Sequence, residues 1–149
     1  NFVTCVEGDF NEALTIYDLL CDSKENCHAA NDFINLNSLS TLQSSSKKLG
    51  DGLFHGEDKI FDHKEELFGN VCEKLGGIKA GKGDVAYELP LFDFLPCRIQ
   101  FWNSDDEFDA QLQIFMDKNV LKFIRYETVW YAVSHLMKRL TEEMENQYI

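Results

Sequence analysis

Apolar residues recur at helical spacing over three stretches of the chain and at alternating spacing over three others. Leu14, Ile16, Tyr17, Leu19 and Leu20 predict a helix from Asn11 to Cys21, with Asn11 as N-cap and Glu12 in the first turn. Ile60, Phe61, Leu67, Phe68, Val71 and Leu75 lie along one stripe of Glu57 to Leu75, a second helix that opens with acids and stops at Gly76-Gly77. Gly69 interrupts it at a cost of about 1 kcal/mol against Ala, and marks a close helix contact or a break. The strongest pattern is Val129, Val133, Leu136 and Leu140, widened by Trp130, Met137 and Met144, which predicts a helix from Tyr126 to Asn146 lying on a sheet. Leu121, Phe123 and Ile124 lead into it as a short helix of their own.

Alternation begins after the glycines. Val85, Tyr87 and Leu89 share one side of Asp84 to Leu89, Cys97, Ile99 and Phe101 one side of Cys97 to Trp102, and Leu112, Ile114 and Met116 one side of Gln111 to Asp117. Asn103 to Ala110 is too short for a crossover helix, so the last two strands pair antiparallel, and Asp84 to Leu89 joins their sheet. Pro90 and Pro96 bracket Leu91 to Leu95 and confine that piece to a bend or edge segment. Asp22 to Asn31 reads as turns, and Phe33, Ile34 and Leu36 as a brief strand or packed loop. Ser38 to Gly52, with its serine and glycine clusters, reads as a mobile surface loop. The expected fold class is α+β, an antiparallel β-sheet packed against helices with a long C-terminal helix. At 149 residues the chain is long enough for one domain with its own core, so residues 1–149 are read as a single domain.

Charge narrows the partners. The chain holds 26 acidic against 14 basic residues, a net charge of −12, which repels phosphate backbones and anionic membranes. No nucleic acid and no membrane partner is expected, and the basic cluster Lys47-Lys48 is short. Solubility is the plainer account of the surplus, ahead of a basic partner. Five cysteines, Cys5, Cys21, Cys27, Cys72 and Cys97, are an odd number without C-x-x-C spacing and read as reduced thiols of a cytoplasmic protein. No apolar run reaches the roughly 20 residues of a membrane span. The chain begins at Asn1 rather than Met, so a leader or N-terminal segment removed from a longer chain is expected.

Candidate chemistry is sparse. Gly76 to Gly83 has the spacing of a phosphate-binding loop, but it follows a helix and opens a strand, the reverse of that motif, and Gly83 stands where the Mg²⁺-binding hydroxyl belongs; a helix stop and flexible turn is the preferred reading. Asp105-Asp106-Glu107-Phe108-Asp109, with Asp117 on the next strand, supplies carboxylates for a hard cation, although the EF-hand spacing fails and a solvated hairpin loop is the preferred reading. His28, His55, His63 and His135 are dispersed, so no zinc pattern forms, and His135 is expected at the core edge. Cys27-His28 has no base placed by sequence. No metal and no cofactor is identifiable from these residues. Trp102 falls opposite the Cys97, Ile99, Phe101 side and either meets a second apolar layer or lines a cleft.

Leu75-Gly76-Gly77, Gly83-Asp84-Val85-Ala86, Leu95-Pro96, Gln100-Phe101-Trp102, Asp105-Asp106-Glu107-Phe108, Asp117 and Tyr126-Glu127 form an ordered string that resembles domain-of-unknown-function family 3786, a bacterial and archaeal family. The resemblance runs from Gly76 to Leu140, about half the chain. Before Gly76 it is loose, and Asp109 stands where members often have Pro. The resemblance implies a setting in anaerobic redox or one-carbon metabolism, and further sequence before the first helix. The leading expectation for function is a non-catalytic binding or accessory module for an unknown protein or small-molecule partner. The rival is a metal-dependent enzyme with a carboxylate-rich site at the end of a β-hairpin. The ligand-binding candidates are Asp84, Trp102, Asp105, Glu107, Asp117 and Glu127. A third reading makes the acids structural, with Asp105 bonding nearby backbone N–H groups and Glu127 serving as a first-turn acid.

Overall fold

The alternating stretches become strands of one antiparallel sheet. The computed structural model describes residues 8–42 and 57–147. In chain order these hold α1 (Phe10–Asp22), β1 (Phe33–Asn35), a 3₁₀ helix (Leu36–Leu42), α2 (Glu57–Phe61), α3 (Glu65–Lys74), β2 (Ile78–Lys79), β3 (Val85–Phe92), β4 (Leu95–Trp102), β5 (Gln111–Asp117), α4 (Val120–Phe123) and α5 (Tyr126–Asn146). The strand order is β1-β5-β4-β3-β2, and every neighbouring pair is antiparallel. The fold is therefore α+β.

Register sorts the side chains. Leu89 faces Cys97, Cys97 faces Met116 and Ile99 faces Ile114, so these residues line one face with Tyr87 and Phe101. That face meets α3 and α5. Phe68 of α3 stacks on Phe61 at 4.3 Å, and both set their rings edge-on to Phe101. α5 contributes Val129, Val133, Met137 and Leu140, all fully buried. A fully buried side chain of this kind stabilises by about 1.5–3 kcal/mol, so these two helices hold the sheet. α1 packs on α5 and makes an outer layer. Among the described residues no helix is long and apolar enough to cross a membrane.

Five local expectations are changed or settled. The second helix is two: the chain breaks at Asp62 to Lys64, where His63 takes a left-handed conformation at φ +54°. Gly69 is no break; a Cβ there would sit 3.1 Å from the Tyr87 hydroxyl, so the residue allows α3 to close on β3. The prolines sit inside strands: Pro90 faces Pro96 across the hairpin, with a register irregularity between Pro90 and Phe92. Pro90 lies past the β2 ladder, which ends at Glu88, and Pro96 past the β5 ladder, which ends at Cys97, so neither removes a needed donor. The N-cap of α1 is Asp9, whose carboxylate accepts from the Asn11 N–H at 2.9 Å, and not Asn11 itself. The segment read as a mobile loop is a 3₁₀ helix as far as Leu42, with Leu39 buried in the core; residues 43–52 lie outside the described residues.

Candidate functional site

The sequence candidates occupy two ends of the sheet. Asp84, Trp102, Asp105 and Glu107 stand at the end where β4 hands over to β5, whereas Asp117 closes β5 at the other, about 20 Å away at 3.3–3.4 Å per residue. Glu127 lies in the first turn of α5, beyond Asp117. The six therefore do not gather at one point. Asp117 is fully buried, and its carboxylate accepts from the backbone N–H groups of Ala30, Asn31 and Asn119 at 3.0, 2.8 and 2.8 Å. It fastens the crossing from α1 to β1 onto the end of β5. Asp105 accepts from the Glu107 and Phe108 N–H groups, both at 2.8 Å, which closes the hairpin loop. Trp102 is half-buried, and the loop at Gly83 passes over its ring.

At the Asp84 end the fold brings in residues that no motif announces. Asp62 and His63, from the break between α2 and α3, meet Asn103 and Ser104. The Ser104 hydroxyl donates to Asp62 at 2.6 Å and lies 3.3 Å from His63 Nε2, while the Ser104 N–H donates to Asp62 at 2.9 Å. The Asn103 side chain accepts from the His63 N–H at 2.7 Å and donates to Glu65, and its own N–H donates to Asp84 at 2.8 Å. A serine, a histidine and an aspartate thus meet, but not in the order of a nucleophilic triad. Ser104 gives its proton to the carboxylate, and Asp62 lies 3.8 Å from the same ring nitrogen that faces Ser104 rather than orienting the opposite one. The two Ser104 bonds hold the Asp62 carboxyl below its ordinary value. The arrangement clasps the α2–α3 break to the hairpin.

A groove of about 610 Å³ adjoins this clasp, and its lining includes Glu65, Glu66 and Asp84 together with Lys79, Gly81 and Gly83. Three carboxylates against one lysine repel a phosphate, so the glycine loop keeps its role as a turn. Among the described residues no group of three or more His, Cys, Asp or Glu side chains is placed to hold a metal ion.

The clearest functional geometry lies on α1, which buries two polar residues and exposes three large apolar ones while Leu14 and Leu19 stay half-buried. Thr15 and Asp18 are buried, whereas Phe10, Tyr17 and Leu20 are 70, 60 and 78 % exposed. The inversion has a local cause. α5 starts at Arg125 without a side-chain cap of its own, and Asp18 reaches across to accept from the Arg125 N–H at 2.8 Å and its Nε at 2.5 Å. Burial alone would raise the Asp18 carboxyl, but the bonds from the Arg125 main chain and the Thr128 hydroxyl outweigh it and hold the group below its ordinary value. At the other end Asp9 accepts from Lys138 at 2.8 Å. With its polar side pinned inward, α1 presents Phe10, Ala13, Tyr17 and Leu20 to solvent at 3-4-3 spacing, the seam used in helix pairing. Tyr131 of α5 extends the patch, its ring edge-on to Phe10 at 6.0 Å. Helical periodicity locates the helix and two residues of this seam, Tyr17 and Leu20, but groups them with the half-buried Leu14 and Leu19 and does not include Phe10.

The family model described as Domain of unknown function (DUF3786) matches residues 3–139. The match covers nearly the whole chain and takes in the N-terminal half, including α1, where the resemblance is loose by eye. No curated protein and no solved structure matches the chain significantly. The chain belongs to the DUF3786 family.

Proposed function

We propose that this member of the DUF3786 family is a non-catalytic accessory module that docks a partner protein through the outward apolar face of α1. The observation that carries the reading is the inversion of that helix: Phe10, Tyr17 and Leu20 face solvent while Asp18 is buried. Contiguous exposed apolar surface of this kind marks interaction sites. The partner is an amphipathic helix or shallow groove with a basic rim, because the exposed charges of Phe10–Asp22 are Glu12 and Asp22, with no Lys or Arg, and the whole chain bears −12. The same acidity disfavours pairing with a second copy. The proposed setting is the one the family resemblance implies, anaerobic redox or one-carbon metabolism in a prokaryotic cytoplasm. Free thiols at Cys21, Cys27, Cys72 and Cys97 support a reducing compartment.

A metal-dependent enzyme at the carboxylate-rich hairpin end is the second reading, and the placing of Asp84, Asp105 and Glu107 at one end of the sheet is what favours it. Divalent ions that raise the melting temperature at millimolar concentration would support it. The docking reading is tested by the pair Tyr17→Glu and Leu20→Glu. The expected result is unchanged stability, within about 0.5 kcal/mol as for exposed positions, together with loss of binding of the dye ANS to native protein. A loss of about 2 kcal/mol or more, with no dye binding by the parent chain, would mean that the face is already covered by the chain's own residues or a second copy.

A further inference from the structure

A second feature, independent of the docking face, lies on the flank of α1. The helix runs antiparallel to α5, since Asp9 meets Lys138 and Asp18 meets Arg125. Between the two helices and the end of the β3–β4 hairpin is a cleft of about 260 Å³. This is below the roughly 300 Å³ at which pockets for drug-sized ligands begin, so it takes a small molecule. Its walls divide by chemistry. Ile16, Leu91, Phe92 and Ala132 supply apolar surface, and Glu12 and Arg139 bring one charge of each sign. The antiparallel arrangement sets both charges toward the Asp9 end and leaves Ile16 and Ala132 beyond them. Among the described residues neither the Glu12 side chain nor Arg139 has an ion-pair or hydrogen-bond partner. They do not neutralise each other, whereas Asp9, Lys138, Asp18 and Arg125 nearby are all paired. His135 also lines the cleft, its buried Nδ1 without a hydrogen-bond partner and 3.7 Å from the Asp9 carboxylate.

We infer that this cleft binds an apolar α-amino acid, with the ammonium on Glu12, the carboxylate on Arg139 and the side chain between Ile16, Leu91, Phe92 and Ala132. A zwitterion with a hydrocarbon body matches all three parts at once. Guanidinium takes a carboxylate by two parallel N–H bonds, a carboxylate takes an ammonium, and the apolar walls take the hydrocarbon body. A simple anion leaves Glu12 unmatched and a simple amine leaves Arg139 unmatched, so the two charges act as a selectivity device.

The test is titration calorimetry of the full chain with L-leucine, L-methionine and L-phenylalanine, against 4-methylpentanoate and isopentylamine as the two half-charged analogues of leucine. The expected result is saturable binding of at least one amino acid, with each analogue about 10-fold weaker or more, since each forfeits a charge-assisted contact. Glu12→Gln should bring the amino acid down to the level of the carboxylate analogue, and Arg139→Met to that of the amine. Both residues are exposed, so the melting temperature without ligand should stay unchanged. Ile16→Trp, which fills the cleft from its rim without altering either charge, should abolish binding. The Tyr17→Glu, Leu20→Glu pair should keep it, which separates this site from the docking face. No heat with any of the three amino acids, equal affinity for the analogues, or affinity untouched by all three substitutions would overturn the assignment.

Discussion

Asp18 links the two halves of the account at the scale of one residue. Its carboxylate, buried beneath α1, serves the start of α5. Because its folded value lies below the ordinary 3.8, the stability it contributes is present above that value and is lost as pH falls through the folded one. Asp9 behaves likewise, its carboxyl lowered to about 2 chiefly by the Lys138 hydrogen bond. Stability should therefore fall between about pH 4 and pH 2, and Asp18→Asn should flatten that decline while costing about 3 kcal/mol at pH 7. Urea unfolding of both proteins across that range measures it; an unchanged slope in the variant contradicts the role. Asp18 could not have been found in the sequence, because a carboxylate among apolar neighbours reads as the solvent side of a helix. Asp105 could: an acid followed at two and three positions by the N–H groups it bonds is a local signature. Asp117 reads in the sequence as a carboxylate for a cation at the hairpin end, and its burial at the other end of β5 is not legible there, since its three donors come from Ala30, Asn31 and Asn119, two of them far away in sequence.

Among elements, the patterns read most accurately where one face meets the core and the other meets water. α5 spans Tyr126–Asn146, as its stripe predicts, and the Leu112, Ile114, Met116 alternation gives β5. Legibility fails where tertiary bonds override local preference. The stripe from Ile60 to Leu75 continues across the α2–α3 break because Phe61 and Phe68 still stack in the core, and the interruption is held by Asp62, His63, Asn103 and Ser104 from outside it. The loop into β3 is a case where composition carries the geometry. Gly83 has φ +119°, a region that is essentially glycine's alone, and a Cβ there would lie 2.6 Å from the Phe101 carbonyl oxygen. Gly83→Ala should cost about 3 kcal/mol, seen as a lowered urea midpoint, and should loosen the loop over Trp102. A midpoint unchanged by the substitution would mean that the loop does not hold this conformation.

For the whole molecule, the division of labour is between a sheet closed by α3 and α5 and an outer helix attached through ion pairs at Asp9 and Asp18 and through the half-buried Leu14 and Leu19. Phe68, Val71, Leu89, Cys97, Phe101, Val133 and Leu140 are fully buried and need nothing from α1's exposed side. Cys72 and Cys97 are pushed up to about 12 chiefly by that burial, so they are core thiols rather than reactive ones. An outer helix that buries Thr15 and Asp18 and leaves an apolar seam outward fits a docking element better than a wall of the fold. The most direct measurement is site-specific photocrosslinking in the cell that makes the protein, with the photoreactive residue at Tyr17 on the seam or at Glu66, an exposed position on α3. The account predicts one discrete adduct with another protein from Tyr17, lost when Leu20→Glu is added, with a basic amphipathic segment at the crosslink, and no such adduct from Glu66. Crosslinks from Tyr17 that are confined to the chain itself, or that match those from Glu66, would contradict it.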